Sequence, residues 1–447
     1  DIIYICTCNR NIHNFPELTD SRDVVNKKLE ENYNRFEAVW KSLGKRYNCP
    51  IIQNNFEYPA YRLLGNRDAW DYRGKTNFIT ELNRKIYNYA ESNDNFYICD
   101  INYISASYGL EKWSKPYYWY MYKYALEISA IPYLSFNVAN IIKSVFGRNK
   151  KAFNLDLDNT LWGGIVGDDG ADNIEIGQET AVAQAYSEFQ QYLKSYKELG
   201  VLLTVNSKND MENAVSGLKR PDSILIEEDF ACIKANWKPK SVNLLETARE
   251  MNLLPESYVF VDDNPAERAI VEAQINGVAV PEMTTPENYI NIIDKSGFFE
   301  VTLLSEDDLK RTQMYMDNKK RVSFMENTLD YDAYLKSLDM HAEIKAFAPE
   351  YLSRITQLTN KSNQFNLTTK RYTQSEIEEI SENKEYITLY GKLSDRFGDN
   401  GVVSVIIGKI SEPTILNLEL WLMSCRVLKR DMEYAMMDKL VQVATSR

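Results

Sequence analysis

Apolar positions along this chain follow two spacings, and the shifts between them mark out its elements. Short apolar runs at Ile2–Cys6, Pro50–Asn54 and Phe96–Cys99 predict strands, and Val24–Leu43 carries the wider helical spacing, so residues 1–146 read as an α/β unit. That unit ends in an aromatic stretch, Pro116–Tyr133, in which Tyr117, Tyr120, Tyr124 and Leu126 predict one buried helical face. A regular strand–helix rhythm then begins after the basic tetrad Arg148-Asn149-Lys150-Lys151. Ala152–Leu157 predicts a strand, and Val182, Ala185, Tyr186, Phe189, Leu193, Tyr196 and Leu199 keep helical spacing up to a capping Gly200. Strands follow at Val201–Val205 and Ser223–Ile226, a helix at Ser241–Met251 and a strand at Tyr258–Val261. Asn264-Pro265-Ala266-Glu267 opens the next helix, with Asn as cap and Pro in the first turn. Repeated strand–helix units of this kind build a doubly wound parallel sheet. Past about residue 295 the rhythm changes to helical pieces and then to strands at Tyr386–Tyr390, Val402–Ile407 and Ile415–Leu422, with a helix from Met432, which predicts a separate α+β domain.

Composition narrows the function classes. A hydrophobic share of 44% with 26% charged residues is that of a globular chain, and no run approaches the roughly 18 apolar residues of a spanning helix. The expected setting is therefore cytoplasmic, with no membrane partner. The missing initial Met suggests a chain that begins inside a longer one. A net charge of −12 opposes binding to nucleic acid. The six cysteines are scattered without metal-site spacing, and with only two histidines, chemistry that needs several His ligands has little to draw on.

In an open parallel sheet, ligands bind at the carboxyl ends of the strands. The central region places Asp156-Leu157-Asp158-Asn159-Thr160 after its first strand, Asn206-Ser207-Lys208-Asn209 after its second, Lys240 before a helix and Asp262-Asp263 after its last strand. This set suits phosphoryl transfer. Asp156 is the candidate nucleophile, and Asp158 the acid that protonates the leaving oxygen and later activates water. Ser207, Lys240, Thr160 and Asn159 are candidate phosphate-binding residues. Asp156, Asp158, Asp262 and Asp263 offer the hard oxygen ligands that Mg²⁺ prefers. For any one of these acids, a helix cap or a solvated turn is the simpler reading; the ordered set favours a site.

These stretches resemble the four motifs of the haloacid dehalogenase (HAD) superfamily. More narrowly, Leu155–Gly170 (LDLDNTLWGGIVGDDG), Ser207–Asp210 (SKND), Asn236–Leu244 (NWKPKSVNL) and Asn360–Thr369 (NKSNQFNLTT) resemble FkbH-like proteins over nearly the whole chain. The resemblance implies a Rossmann-like, capless HAD domain at 147–295, preceded by an SGNH-hydrolase-like α/β domain at 1–146 and followed by a GNAT-like α+β domain at 296–447. It also implies a phosphorylated small-molecule substrate and an activity: removal of phosphate from 1,3-bisphosphoglycerate with passage of the glyceryl group to an acyl carrier protein. The alternatives are a phosphatase acting on a phosphomonoester without acyl transfer, or a non-catalytic scaffold that binds a carrier protein.

The sequence departs from the family pattern at three places. Asn206 stands where glyceryl-loading members carry a Cys before the Ser, and an amide is no sulfur nucleophile, which leaves direct transfer, a substitute such as Cys425, or no transfer. Asp100-Ile101-Asn102-Tyr103 lacks the His of an SGNH catalytic block, whose Ser would fall before residue 1, so the first domain reads as structural or recognition-only. The stretch Arg426-Val427-Leu428-Lys429-Arg430-Asp431 has no Gly to bring amides close to a coenzyme A pyrophosphate. Asn206, Lys208, Asn209, Arg426, Lys429 and Arg430 remain as carrier or substrate contacts, against the equally simple reading of a basic strand end.

Overall fold

The computed structural model describes residues 1–47, 49–326, 330–361, 365–424 and 427–446, excepting the side chains of 306, 307, 319, 322, 323, 326 and 361. The chain forms two compact units: Asp1–Lys143 together with Arg371–Asn383, and Ser144–Lys370 together with Lys384–Arg447.

In the first unit, β1 (Ile3–Ile5), β2 (Ile51–Asn54) and β3 (Phe96–Cys99) form a parallel sheet in that order. The helices Arg22–Arg46 and Lys75–Glu91 give it Phe36, Trp40, Phe78, Ile79, Leu82 and Ile86, all buried. Trp40 keeps its indole N–H paired in this core by donating to Gln53 (2.8 Å). The helix Gln374–Glu382, far along the sequence, belongs to this unit, and Asn95 donates to Ser375 from the turn before β3.

The aromatic stretch departs from its expected form. The helix is only Pro116–Tyr122, ends at Lys123 in the left-handed region (φ 61°), and a new helix starts at Ile131. Seven residues make two turns, and Tyr124 lies past the break, so the predicted stripe does not form. Leu126 is buried, but Tyr117, Tyr120 and Tyr124 are exposed, at 61, 70 and 49%.

In the second unit, β4 (Ala152–Leu155), β5 (Leu202–Ser207), β6 (Cys232–Ala235) and β7 (Tyr258–Val261) pair in parallel in the order β6-β5-β4-β7. Every residue of β4, β5 and β7 is buried, the pattern of strands covered on both faces. Chain order runs outward from β4 through β5 to β6 and then crosses to β7, so the order reverses beside β4. A crevice opens at the carboxyl ends of strands where the order reverses. The predicted strand Ser223–Ile226 is absent. Its amides go elsewhere: Gln190 Oε1, on the helix Ala181–Glu198, accepts from the N–H groups of Ile224 and Leu225 (both 2.9 Å), and Lys194 donates to the Ile224 carbonyl. The strand that pairs with β5 on the side away from β4 is β6, a few residues later.

The same unit holds a five-stranded antiparallel sheet in the order β8-β10-β11-β12-β9, built from β8 (His341–Lys345), β9 (Phe365–Asn366), β10 (Tyr386–Asp395), β11 (Gly398–Glu412) and β12 (Ile415–Met423). Met432, Met436 and Leu440 of the helix Met432–Thr445 share the core of this sheet with Val403, Ile406 and Met423. No helix among the described residues is long and apolar enough to cross a membrane.

Candidate active site

Asp156 lies at the crevice because β4 stops at Leu155 and the next amide is captured by β7, donating to the Val261 carbonyl (2.9 Å). Asp262 follows β7 directly. Its Oδ1 accepts from the Asn264 amide (2.9 Å), and Asn264 in turn caps the helix Pro265–Gln274. Lys240 opens the helix Lys240–Glu250 and reaches back, its ammonium 2.9 Å from Asp156 Oδ2 and 2.6 Å from Asp262 Oδ2. Carboxylate oxygens of Asp156, Asp262 and Asp263 all lie within 4.8 Å of one another.

The electrostatics of this cluster follow from its burial. Burial raises Asp156 above the ordinary carboxylate range, and the nearby Lys240 opposes it. Burial and the Asp156 carboxylate push Asp262 up to about 6, and burial and Asp262 raise Asp263. Burial works against the Lys240 ammonium, but two carboxylates outweigh it and the lysine is raised instead. Lys240 is therefore the firm charge of the group. With all three ionised, these neighbouring carboxylates and the one ammonium that pairs with two of them carry a surplus of two negative charges, the amount one divalent cation cancels, and their ligand atoms are the hard oxygens such a cation takes. The residues fit a divalent metal.

Asp158 stands outside that group, so its side chain does not join the predicted metal set. Its Oδ1 accepts from the Trp162 indole N–H (2.9 Å) and the Val166 amide (3.0 Å), and its Oδ2 accepts from Asn209 Nδ2 (2.9 Å). Burial raises its carboxyl against these three donors. The loop from Leu161 to Ile176 is no free lid: Leu161, Trp162, Val166, Ile174 and Ile176 are buried, Gly163 and Glu175 exchange backbone hydrogen bonds, and Arg220 donates to the Ile174 carbonyl (2.6 Å). Gly217 makes room for the Trp162 ring, which an added Cβ would meet at 2.8 Å.

The remaining predicted residues divide into those at the centre and those that support it. Ser207 is buried at the end of β5, and among the described residues none engages its hydroxyl, which leaves it open to a ligand oxygen. Thr160 Oγ1 accepts from the Asp263 amide (3.2 Å), and Asn159, at φ 53°, uses its Oδ1 for the Gly164 amide. Both side chains therefore shape the turn rather than stand ready for phosphate. Asn206 is fully buried and donates to Asn154 and to the Lys240 carbonyl (both 2.8 Å), so its amide N–H groups are spent on supporting Lys240. Asn209 is turned onto Asp158, and Lys208 pairs with Glu267. Arg430 is buried and paired with Asp395 (3.2 Å) and Asn318 (2.8 Å), whereas Lys429 is exposed. Cys425, Arg426 and residues 362–364 lie outside the described residues.

Sequence reasoning missed Trp162, the Val166 amide and Asn154, Asn243 and Asn236, which with Asn206 form a chain beneath Lys240. Trp162 had a signal, lying one helical turn after Asp158; the asparagines had none, because only the fold brings their four segments together.

Residues 7–143 match the family described as FkbH, N-terminal domain. No curated protein matches the chain. Among solved structures, the chain is similar to the N-terminal part of the protein BF1531 from Bacteroides fragilis, which contains a phosphatase domain and was crystallised in complex with Mg. The two are 32% identical with a TM-score of 0.59, over 64% of this chain and 75% of that one. With this match, and with Leu155–Gly170, Ser207–Asp210 and Asn236–Leu244 at the strand ends of a parallel sheet, the chain belongs to the FkbH-like family of the haloacid dehalogenase superfamily.

Proposed function

We propose that this protein is a Mg²⁺-dependent phosphatase that works through an aspartyl-phosphate on Asp156. The observation that carries the reading is the meeting of the Asp156, Asp262 and Asp263 carboxylates, two of them paired with the Lys240 ammonium, at the reversal of the sheet. Asp156, Asp262 and Asp263 would hold the cation, which supplies positive charge to the phosphoryl oxygens when bound. An Asp156 carboxylate oxygen forms a bond to phosphorus while the bond to the leaving oxygen breaks, and Asp158 gives that oxygen a proton. Asp158 then takes a proton from water, whose oxygen attacks the aspartyl-phosphate, releasing phosphate and restoring Asp156. Ser207 and Lys240 hold phosphoryl oxygens through both steps.

The family likeness supports a finer reading, an acyl phosphate such as 1,3-bisphosphoglycerate as substrate and an acyl carrier protein as glyceryl acceptor. Asn206 bears on it: a fully buried amide that holds the Lys240 carbonyl provides no covalent stopping place, so the carrier thiol would attack the acyl carbon directly. The carbon–oxygen bond to the leaving phosphate would break as the thioester forms, a step separate from attack of Asp156 on the phosphorus of the remaining phosphomonoester. We also read the first and last parts of the chain as SGNH-like and GNAT-like, supported by the parallel β1-β2-β3 sheet and by the five-stranded antiparallel sheet with its C-terminal helix.

Phosphate release from acetyl phosphate and from 4-nitrophenyl phosphate, with Mg²⁺ or with EDTA, tests the first reading on wild type and Asp156→Asn. Turnover is expected only for wild type with the metal; equal turnover by the variant sinks the scheme. For the second reading, carrier protein incubated with enzyme and 1,3-bisphosphoglycerate is weighed, and an unchanged carrier mass alongside released phosphate leaves the simple phosphatase.

A further inference from the structure

Asp158 sits in a setting more specific than acid catalysis alone demands. Both partners of its Oδ1, the Trp162 indole N–H and the Val166 amide, are donors with no acceptor function. A proton on Oδ1 would face two N–H groups pointing at it, so a proton carried by this carboxyl resides on Oδ2. The position of Oδ2 is set by one group, the Nδ2 of Asn209 at 2.9 Å. Asn209 is only 3% exposed and does not reach Asp158 by accident of a mobile surface. Its own Oδ1 accepts from the Asp210 amide (3.0 Å), which fixes which end of the amide faces Asp158.

The placement matters because the two residues come from different loops. Asp158 belongs to the loop after β4, whereas Asn209 lies two residues beyond Ser207 in the loop after β5. Ser207 is the hydroxyl left open for a phosphoryl oxygen. The Asn209–Asp158 hydrogen bond therefore ties the oxygen that carries the proton to the loop that holds the phosphoryl group.

We infer that Asn209 is a positioning residue for proton transfer, holding Asp158 Oδ2 where the leaving-group oxygen of a bound phosphate ester departs. This rests on the phosphatase reading above. The simpler role, an amide that closes the turn before the helix Met211–Leu218, is satisfied by the Asp210 contact alone and has no need of Nδ2.

The two roles differ in one measurable respect. An ester whose leaving group is a weak base departs without a proton, and one whose leaving group is a strong base does not. The value of kcat/KM covers the steps up to and including cleavage of the ester bond, so it is compared across 4-nitrophenyl phosphate, phenyl phosphate and methyl phosphate with Mg²⁺ present. For Asn209→Ala the expected loss is within about threefold for 4-nitrophenyl phosphate and at least about thirtyfold for methyl phosphate, a fraction of what a positioned acid contributes. Asp158→Asn is expected to skew the series in the same direction and further. Should Asn209→Ala not fold, as judged by circular dichroism, Asn209→Asp keeps the acceptor for the Asp210 amide, lacks the donor, and is expected to show the same skew. A loss equal across the three esters, or no loss, overturns the inference while Asp156-dependent turnover by wild type keeps the phosphatase reading alive. Wild type without Asp156-dependent turnover overturns both.

Discussion

Two carboxylates, those of Asp156 and Asp262, share the single ammonium of Lys240 in a place from which solvent is nearly absent: the Asp156, Asp262 and Lys240 side chains are 9, 0 and 4% exposed. Removing the ammonium leaves two buried like charges facing each other. Breaking a buried ion pair at one partner typically costs about 3–5 kcal/mol. Lys240→Met is therefore expected to unfold at lower urea concentration than wild type in EDTA and to lose phosphatase activity. Because the surplus charge matches a divalent cation, added Mg²⁺ is expected to return part of that lost stability to Lys240→Met. A urea midpoint for the variant that does not rise with Mg²⁺ counts against the carboxylates as the metal's ligands. At this scale the sequence was legible where chemistry depends on order along the chain. The positions of Asp156, Ser207, Lys240 and Asp262 in the fold were readable because each ends or follows a strand or opens a helix. The surroundings of Asn206 and Asn209 were not legible, because residues three apart in sequence sit in different settings, one facing the asparagines under Lys240 and the other facing Asp158.

Elements were legible in proportion to the length of their pattern. The helix Ala181–Glu198 and the strand β7 match their sequence signals, since a long stripe or a fully apolar run has few alternatives. Short segments failed where a side chain competed for the backbone. At Ser223–Ile226 an apolar run reads as a strand, yet Gln190 Oε1 holds two successive amides of that run and its Nε2 donates to the Leu161 carbonyl (2.9 Å), at the start of the loop that carries Trp162. One buried amide thus anchors both the segment leading to β6 and the loop that supports Asp158. Gln190→Leu keeps the volume but strands two N–H groups and a carbonyl. Each buried group left unpaired costs about 1–3 kcal/mol, so a loss of at least about 2 kcal/mol in urea unfolding is expected, together with reduced phosphate release. A variant as stable as wild type would mean that water replaces the amide at this site. The aromatic stretch failed for the opposite reason, a break after two turns that periodicity alone does not reveal.

For the whole molecule, the division into two compact units gives each its own lever. The acidic cluster proposed to hold Mg²⁺ lies entirely in the unit built from Ser144–Lys370 and Lys384–Arg447, so an effect of Mg²⁺ on stability is expected there. The other unit carries a buried acid, Glu57, just beyond β2. Burial pushes its carboxyl up to about 8, against the Asn9 amide, which donates to its Oε2 (3.0 Å), and the more distant charge of Arg10; the same burial, with Glu57 beside it, pushes the Cys8 thiol up to about 11. The sign follows from linkage. A carboxyl with a higher pKa folded than unfolded binds its proton more tightly in the folded chain, so its contribution to stability is full below the unfolded value of 4.5 and is lost as pH rises towards about 8. Over that window the loss is bounded by about 1.4 kcal/mol per pH unit. Thermal unfolding of the full chain, followed between pH 5 and 8.5 in EDTA so that the metal site contributes no ligand binding, is expected to show a transition that moves to lower temperature as pH rises. Glu57→Gln keeps an oxygen for the Asn9 amide and removes the titration, so that transition is expected to fall less steeply with pH and to lie higher than wild type at pH 8.5. Equal slopes in wild type and Glu57→Gln would show that Glu57 ionises freely in the folded chain and that its burial does not govern the pH response of this unit.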